Sequence, residues 1–425
     1  MREVRGLGVF ASAHGGGLSI AERYAQVRAR TEALAAPLDP EDQQLQSMPS
    51  ASPTKWHRAH TTWFFEAFVL GPRGVPPVDA RHGFLFNSYY EAMGPRHLRP
   101  ARGLLSRPSA AEISAYRAEV DVRMARLLAD ADEPTAALTT LGLHHEEQHQ
   151  ELILTDILHA FGASPLRPAY RRRAPAQEPG GDAPGATPAL GFDRLEGGLL
   201  EVGAGPPGGF AFDAEGPRHK VWVDPFELAR RPIVVGEVRA FVEAGGYHTP
   251  SLWLSEGLEW VRRGGREAPE SLRFVDGVAL GFTVDGEVPL ADDVVASHLS
   301  YYEADALARF LGGRLPTEHE WEVAAAAAPV EGNLLDPAGL RPARVGARSS
   351  PYGDVWVWTT SAFGPYPGFR PAAGAVGEYN GKFMVGQQVL RGGSCFTPRG
   401  HVRASYRNFW PPDTTFQMTG ARVAR

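Results

Sequence analysis

Cysteine is almost absent from this sequence, and its scarcity narrows the kind of protein that it encodes. Cys395 is the only cysteine in 425 residues, so the chain cannot form an internal disulfide. A protein without a disulfide framework suits a reducing compartment, and we expect a cytoplasmic location. Chemistry that requires a pair of cysteines within the chain is excluded, and Cys395 is expected to be a small buried residue.

Long apolar runs and a strong charge of one sign are also missing. Apolar runs such as residues 324–330 are far shorter than the roughly 20 residues of a membrane-spanning helix. Lysine and arginine total 43 against 49 acidic residues, a net charge of −6, and no basic stripe marks a nucleic-acid surface. We therefore expect neither a membrane nor a nucleic acid as partner. Residues 1–17 lack the apolar core of a signal peptide, and a flexible tail is expected there.

Helical spacing dominates residues 18–170. Apolar residues recur at helical intervals in four segments: 18–35, 53–70, 110–131 and 133–161. Ser52 and Ser109 precede two of these segments and are candidate N-caps. Four consecutive long helices predict an up-and-down bundle. The stretch 71–108 between the second and third helices is long and irregular, as functional loops often are.

The pattern changes twice after the predicted bundle. Residues 171–190 are rich in Arg, Pro, Gly and Ala, a composition typical of a linker. Residues 191–425 combine short β-prone segments with two helical ones and many glycines and aromatics, which predicts a loop-rich α+β domain. The expected strands include 199–202, 220–223 and 274–278, and the expected helices are 235–244 and 301–311.

Histidines inside the fourth helix carry the strongest chemical signal. Residues 144–151 read HHEEQHQE, and His145 and His149 are four apart, so both lie on one helical face and can bind one metal. The spelling also resembles the HExxH pattern of zinc proteases, but metals in bundles are held by facing helices. The second helix offers His57 and His60. We favour His60 as third ligand because it lies one turn before the aromatic residues at 63 and 64.

Three neutral imidazoles leave one face of an octahedral metal open. That arrangement suits Fe(II), which could bind two substrates and O₂ there, although zinc also accepts three histidines. The residues alone do not decide between iron and zinc.

Several strings resemble the ergothioneine-biosynthesis sulfoxide synthases from about residue 46 to residue 425. They include HTTWFFE at 60–66, FNSYYEA at 86–92, GPRH at 94–97, RGLLSRP at 102–108, RLPTE at 314–318, GDVW at 353–356, GEYNGKFM at 377–384, LRGGS at 390–394 and YRNF at 406–409. The resemblance implies a DinB-like four-helix domain over 18–170. It also implies a domain over 191–425 like the formylglycine-generating enzyme, with a C-type-lectin-like fold.

The same resemblance implies an activity and its cofactor. Fe(II) would be bound by His60, His145 and His149, and a substrate pocket would lie between the two domains. Members of this family use O₂ to couple cysteine or γ-glutamylcysteine to hercynine, the trimethylated form of histidine, and form a sulfoxide. The pair Tyr89 and Tyr90 resembles a variant associated with cysteine as the sulfur donor.

Candidate site residues follow from these substrates. Tyr89 or Tyr90 could supply a proton or an electron during the reduction of oxygen; alternatively, both pack a loop. Three arginines, Arg96, Arg99 and Arg102, could bind the carboxylate of the thiol substrate through forked hydrogen bonds, or form a solvated basic loop.

Hercynine carries a trimethylammonium group, which aromatic rings can bind. Its candidate partners are Gln148, Asn408, Phe409, Trp410 and Asp413. Phe409 and Trp410 could equally be core aromatics, and the whole segment could simply anchor the end of the chain.

Departures from the family pattern leave alternatives open. Leu158 replaces a usual lysine, Ala214 a usual asparagine and Val357 a usual glutamate, and residues 411–416 lack a usual histidine. These changes concern the donor pocket, so a selenoneine synthase that takes a seleno-sugar is one alternative. A zinc hydrolase or thiol transferase of the DinB type is a second, and a non-catalytic binding module a third. Formylglycine formation needs two cysteines and is therefore excluded, because Cys395 is the only cysteine in the chain.

Overall fold

Four helices predicted near the N-terminus form in the computed structural model, which describes residues 17–171, 187–205, 209–336, 339–372, 377 and 380–425. The described chain divides into two compact units. The first comprises the described parts of 1–170, 206–213 and 370–382, and the second comprises those of 171–205, 214–369 and 383–425. The tail predicted at 1–17 and the linker predicted at 171–190 lie mostly outside the described residues.

The first unit is a bundle of four long helices. Its helices are α1 (Ile20–Ala35), α2 (Thr54–Phe64), the short α3 (His82–Phe86), α4 (Ala110–Leu128) and α5 (Glu133–Ala163). Helices α1 and α4 begin in capping boxes, at Ser19 with Glu22 and at Ser109 with Glu112, in which each side chain satisfies the other residue's free backbone N–H. The predicted bundle and the Ser109 cap are confirmed.

Every residue of α2 is buried, as expected for a helix packed on several sides. It contacts α4 and α5, and a π-helical segment, Phe65–Leu70, continues it. The predicted Ser52 cap is wrong, because Pro53 is the N-cap residue. The Ser52 backbone N–H instead donates to Asp156 Oδ2 at 2.8 Å, which fixes the start of α2 against α5.

The second unit is the α+β domain that the sequence predicts. Its helices are α6 (Val235–Glu243), α7 (Ser255–Gly264), α8 (Tyr301–Phe310) and α9 (Glu318–Ala325). Its strands are β1 (Phe192–Leu195), β2 (Gly198–Val202), β3 (His219–Val223), β4 (Phe226–Ala229), β5 (Leu272–Val275), β6 (Val278–Thr283), β7 (Gly286–Leu290), β8 (Gly332–Asn333), β9 (Tyr352–Gly353), β10 (Trp356–Ala362), β11 (Gln388–Arg391), β12 (Asn408–Trp410) and β13 (Thr419–Gly420).

Small sheets make up this unit. The pairs β1–β4 and β2–β3 and the meander β5–β6–β7 are antiparallel. A four-stranded sheet has the order β12–β11–β10–β13, with β10 and β13 parallel, and β8 and β9 form a parallel pair. The strand predicted at 274–278 is wrong, because Asp276 and Gly277 adopt positive φ and turn the chain between β5 and β6.

Candidate metal centre

Three histidines meet between α2 and α5. Two of them, His145 and His149, lie one turn apart on α5, and His60 faces them from α2. One ligand atom of each lies within 4.8 Å of the others. His60 and His145 are fully buried, and His149 is 9% exposed. The structure thus brings together the three residues that the sequence selects.

The electrostatics keep these imidazoles neutral. Burial lowers the pKa of His145 to about 3, and burial followed by the neighbouring histidines lowers the pKa of His60 and of His149 well below the usual value. A neutral imidazole has one nitrogen lone pair, which is what a metal requires. Since His60 Nδ1 lies 2.6 Å from the Phe86 carbonyl oxygen, it must donate there, and His60 Nε2 carries the lone pair.

The donor spacing fits a metal ion. His60 Nε2 and His145 Nε2 are 3.1 Å apart. Two nitrogens at right angles around an ion roughly 2.1 Å from each would be about 3.0 Å apart, and about 3.4 Å apart at a tetrahedral angle. The observed spacing lies between these two values and suits two ligands of a single ion. The cluster has the donor set, the burial and the spacing of a metal centre.

His57, the other histidine of α2, lies directly behind His149. The two Nδ1 atoms are 2.8 Å apart, and His57 Nε2 lies 3.1 Å from Asp156 Oδ2. Burial lowers the pKa of His57, although Asp156 opposes this shift. Sequence reasoning missed Asp156, which follows His149 by seven residues, about two helical turns, and so lies on the same face of α5.

Glu146 occupies the position that would be the general base in an HExxH enzyme, but it is directed elsewhere. It is fully buried, and its carboxylate pairs with Arg28 at 2.9 Å and Arg117 at 3.0 Å. Thr31 also donates to it at 2.6 Å. Burial raises the pKa of Glu146, but the two arginines outweigh burial and bring it to about 2. A carboxylate that holds two cations in this way does not accept a proton near neutral pH.

Aromatic rings form a wall beside the histidines. Trp56 stacks on His60 with ring centroids 4.6 Å apart, and Phe64 lies 4.9 Å from His145. Arg102 packs on the Trp56 ring, with its guanidinium carbon 3.4 Å from the ring centroid. Its two terminal nitrogens donate to the Ser52 and Ser88 hydroxyls, both at 2.9 Å.

The three candidate arginines differ in environment. Arg102 is 2% exposed, and within the described part of the chain no carboxylate lies within 4 Å of it. Burial is the main reason that its pKa is lowered, to about 8, so an added carboxylate would relieve the cost of burying this cation. Arg96 already pairs with Glu91, and Arg99 is exposed at the surface.

The two candidate tyrosines occupy different surroundings. Tyr90 is 1% exposed, and its ring packs 4.9 Å from Phe68 and 6.0 Å from Trp63. Tyr89 is half-buried, with its ring 4.7 Å from Tyr90 and the Lys382 ammonium 5.0 Å from its ring centroid. Tyr90 therefore belongs to the bundle core, and Tyr89 lies at its edge.

The hercynine candidates are divided between the two units. Gln148 lies half-buried on α5. Asn408, Phe409 and Trp410 form β12 in the second unit, where Phe409 stacks on Phe363 at 4.0 Å. Asp413 is exposed. Their participation in one pocket with the histidines stays a prediction.

Comparisons with known proteins identify both units. Residues 23–163 match the model of the DinB superfamily, and residues 191–339 match that of the sulfatase-modifying factor enzyme 1-like domain. The fold and the histidine cluster thus define a class: a DinB-type helical domain joined to a domain like the sulfatase-modifying factors. Both predicted domain types are confirmed.

Relatives match the chain over almost its whole length. It is 32% identical to the hercynine oxygenase of Mycobacterium tuberculosis, over 95% of this chain and 98% of the relative. It is 31% identical to that of Mycolicibacterium smegmatis, over 96% and 98%. The chain belongs to the hercynine oxygenase family. Ergothioneine biosynthesis protein 1 of Schizosaccharomyces pombe is 27% identical over 51% of this chain and 28% of its own length.

One further property concerns membranes. Among the described residues, no helix is both long and apolar enough to cross one.

Proposed function

We propose that this enzyme is a hercynine oxygenase that acts in ergothioneine biosynthesis with a non-haem Fe(II) ion at His60, His145 and His149. It would join the sulfur of a thiol, cysteine or γ-glutamylcysteine, to the hercynine ring carbon between the two nitrogens. Three buried, neutral imidazoles whose ligand atoms lie within 4.8 Å of one another are the observation that carries the proposal. Family membership supplies the substrate class.

The reaction balances with O₂ as the only oxidant. A ring C–H bond and the thiol S–H bond break, a C–S bond forms, and the sulfur is oxidised to a sulfoxide. One oxygen atom enters the sulfoxide, and the other leaves as water with the two hydrogens. Bound Fe(II) would pass electrons from the two substrates to O₂ and would hold the reactants together.

The chain's own residues have separate tasks in this scheme. Arg102 would bind a substrate carboxylate. It is a buried cation whose guanidinium donates to two uncharged hydroxyl groups, those of Ser52 and Ser88. Trp56 and Phe64 exclude water from one side of the histidines. Tyr89 or Tyr90 would hold the proton or electron that reduced oxygen takes up.

The ion pairs of Glu146 argue against the zinc-hydrolase alternative. A hydrolase of the HExxH kind needs this carboxylate beside the metal as a base. Here it is bound by Arg28 and Arg117 within the bundle core. A cytoplasmic location, with hercynine, a thiol and O₂ as small-molecule partners, belongs to the same proposal.

Oxygen uptake provides the test. The protein would be loaded anaerobically with Fe(II) or Zn(II) and mixed with hercynine and one donor at a time: cysteine, γ-glutamylcysteine or a seleno-sugar. We expect O₂ uptake and formation of a hercynyl sulfoxide only when the metal is iron and the donor is a thiol. Turnover with zinc, or uptake with the seleno-sugar alone, would contradict the proposal.

Metal ligands are tested with the same material. We expect His60→Ala, His145→Ala and His149→Ala each to lose stoichiometric iron and turnover. The control is His82→Phe, which removes another buried imidazole of the bundle and should keep both. Full iron retention in His60→Ala would refute that ligand assignment.

A further inference from the structure

A buried chain of hydrogen bonds runs from Asp156 through His57 to His149. The distances are 3.1 Å from Asp156 Oδ2 to His57 Nε2 and 2.8 Å between the Nδ1 atoms of His57 and His149. Asp156 and His57 are 5% and 1% exposed. Neither residue belongs to the set that converges on the metal position. This series of hydrogen bonds therefore lies one layer behind the ligands.

Counting hydrogens along this chain fixes the tautomers. Asp156 Oδ2 also accepts from the Ser52 backbone N–H at 2.8 Å, so it acts as an acceptor and His57 Nε2 must carry a hydrogen. In neutral His57 the other nitrogen, Nδ1, is then an acceptor. Only one hydrogen fits between the two Nδ1 atoms, so it must belong to His149. His149 Nε2 is left with the lone pair.

We propose that His57 and Asp156 are positioning residues that hold His149 in the tautomer and ring orientation in which its Nε2 can bind the metal. Resting on the metal site proposed above, this inference assigns a role to a histidine that is not itself a ligand. It explains why an imidazole of α2 and a carboxylate of α5 are buried together behind His149.

The two ligand helices differ in how they orient their imidazoles. His60 donates to a backbone carbonyl, that of Phe86, whereas His149 donates to a side chain that is itself bound to a carboxylate. Partners of this kind raise the basicity of a metal-bound imidazole and restrict its rotation, and their loss typically weakens metal binding 10- to 100-fold. Because the His149 partners are side chains, substitution can remove them.

Metal binding by the full-length chain tests the role without any turnover. Co(II) would be titrated anaerobically into the metal-free protein and followed by its visible absorption and by calorimetry. We expect His57→Phe to weaken Co(II) binding about 10- to 100-fold and to alter the Co(II) spectrum. His57→Asn should recover most of the loss, because its amide oxygen takes the place of His57 Nδ1 and can accept from His149 Nδ1. The control His82→Phe should bind Co(II) like the unaltered protein.

The outcomes separate this inference from the metal site itself. Retention of metal by His149→Ala would refute the metal site. Loss of metal in His149→Ala together with unchanged affinity in His57→Phe would overturn only the positioning role. Equal weakness of Co(II) binding in His57→Asn and His57→Phe would also overturn it, because an acceptor would not then be what His149 needs.

Asp156→Asn carries the test if His57→Phe does not fold. Its amide oxygen can still accept from Ser52 and His57, so only the negative charge at the end of the chain is removed. We expect Co(II) affinity to fall, but by less than the roughly 10-fold minimum that loss of a direct partner causes. An affinity equal to that of the unaltered protein would overturn the role of Asp156.

Discussion

At the residue scale, two histidines three positions apart on α2 have different partners. His60 points its Nε2 at His145, 3.1 Å away, and is fixed from behind by a carbonyl. His57 instead contacts His149 through Nδ1. In the proposed site, the same type of side chain would serve as a ligand in one case and would support a ligand in the other. The difference lies in which atom of α5 each ring meets.

The tyrosine pair gives a prediction at this scale. If one phenol delivers a proton or an electron to reduced oxygen, its Phe variant should bind both substrates but form sulfoxide more slowly, or divert O₂ toward oxidation of the thiol alone. Stopped-flow rates and product ratios for Tyr89→Phe and Tyr90→Phe would measure this. Tyr116→Phe is the control, because that phenol is buried against Glu66 at 2.8 Å. Unchanged rates and ratios in both single variants would refute the role.

At the scale of the element, α5 presents different chemistry on adjacent faces. One face carries His145 and His149, and the next residue around the helix, Glu146, meets Arg28 and Arg117 from α1 and α4. About 100° of rotation per residue separates these directions. One helix therefore carries two of the proposed metal ligands and also joins the bundle through buried ion pairs.

Glu146→Gln tests that division. Loss of the carboxylate leaves two buried guanidinium groups without their counter-charge, and we expect the free energy of unfolding to fall by about 3–5 kcal/mol. Folded protein should keep its metal. Urea unfolding and metal analysis would measure both. Glu119→Gln, which breaks an exposed pair with Arg123, should cost at most about 1 kcal/mol. Unchanged stability with lost activity would instead favour a catalytic Glu146.

The strand β12 gives a second prediction for an element. Phe409 stacks on Phe363, so Phe409→Ala should lower stability. Trp410 packs edge-on against Phe416 and stays half-buried. We expect Trp410→Ala and Asn408→Ala to keep iron and fold but to weaken hercynine binding, by about 1–3 kcal/mol for a lost hydrogen bond to a charged group.

Calorimetric titration of hercynine into the iron-loaded variants, beside their melting curves, decides whether β12 binds hercynine or only anchors the end of the chain. A fall in melting temperature with unchanged hercynine affinity in Trp410→Ala would show that β12 only anchors the chain end.

At the scale of the whole molecule, each unit contains its own buried ion cluster. In the second unit, Glu318 at the start of α9 accepts from Arg391 at 2.7 Å, from Arg407 at 2.8 Å and from Tyr366 at 2.9 Å. Burial raises the pKa of Glu318, but Arg391 and Arg407 outweigh it and bring the pKa to about 2. The resemblance string at 314–318 thus ends on a structural carboxylate.

This cluster predicts an acid dependence of stability. Because the folded pKa of Glu318 lies below its unfolded value of about 4.5, its contribution is complete above pH 4.5 and is lost as the pH falls from 4.5 toward 2. We expect Glu318→Gln to lower the free energy of unfolding by roughly 3 kcal/mol at pH 7, with a smaller difference at pH 3. Urea unfolding at several pH values would measure it.

The control for this pH series is Glu331→Gln, at an exposed position, which should change little at any pH. A difference between Glu318→Gln and the unaltered protein that stays constant from pH 7 to pH 3 would contradict the assigned pKa.

Much of this architecture could be predicted because it depends on local spacing. The i, i+4 interval put His145 and His149 on one face of a helix, Ser109 caps α4 as expected, and Gly- and Pro-bounded segments marked the α+β unit. The failures were also local in origin. The segment 274–278 was predicted as one strand, although the Asp276–Gly277 pair within it is a turn signal, and its positive φ values reverse the chain.

Contacts between distant segments decided the rest. Spacing offers both His57 and His60 as the third ligand, and only the packing of α2 against α5 directs His60 Nε2 to His145 and His57 to His149 and Asp156. Glu146 has the sequence position of a base, but arginines 118 and 29 residues away along the chain bind it. The sequence by itself determined which residue types were available on each helix. The tertiary structure decided what each one does, because burial and partner geometry set the tautomer and charge of an imidazole or carboxylate.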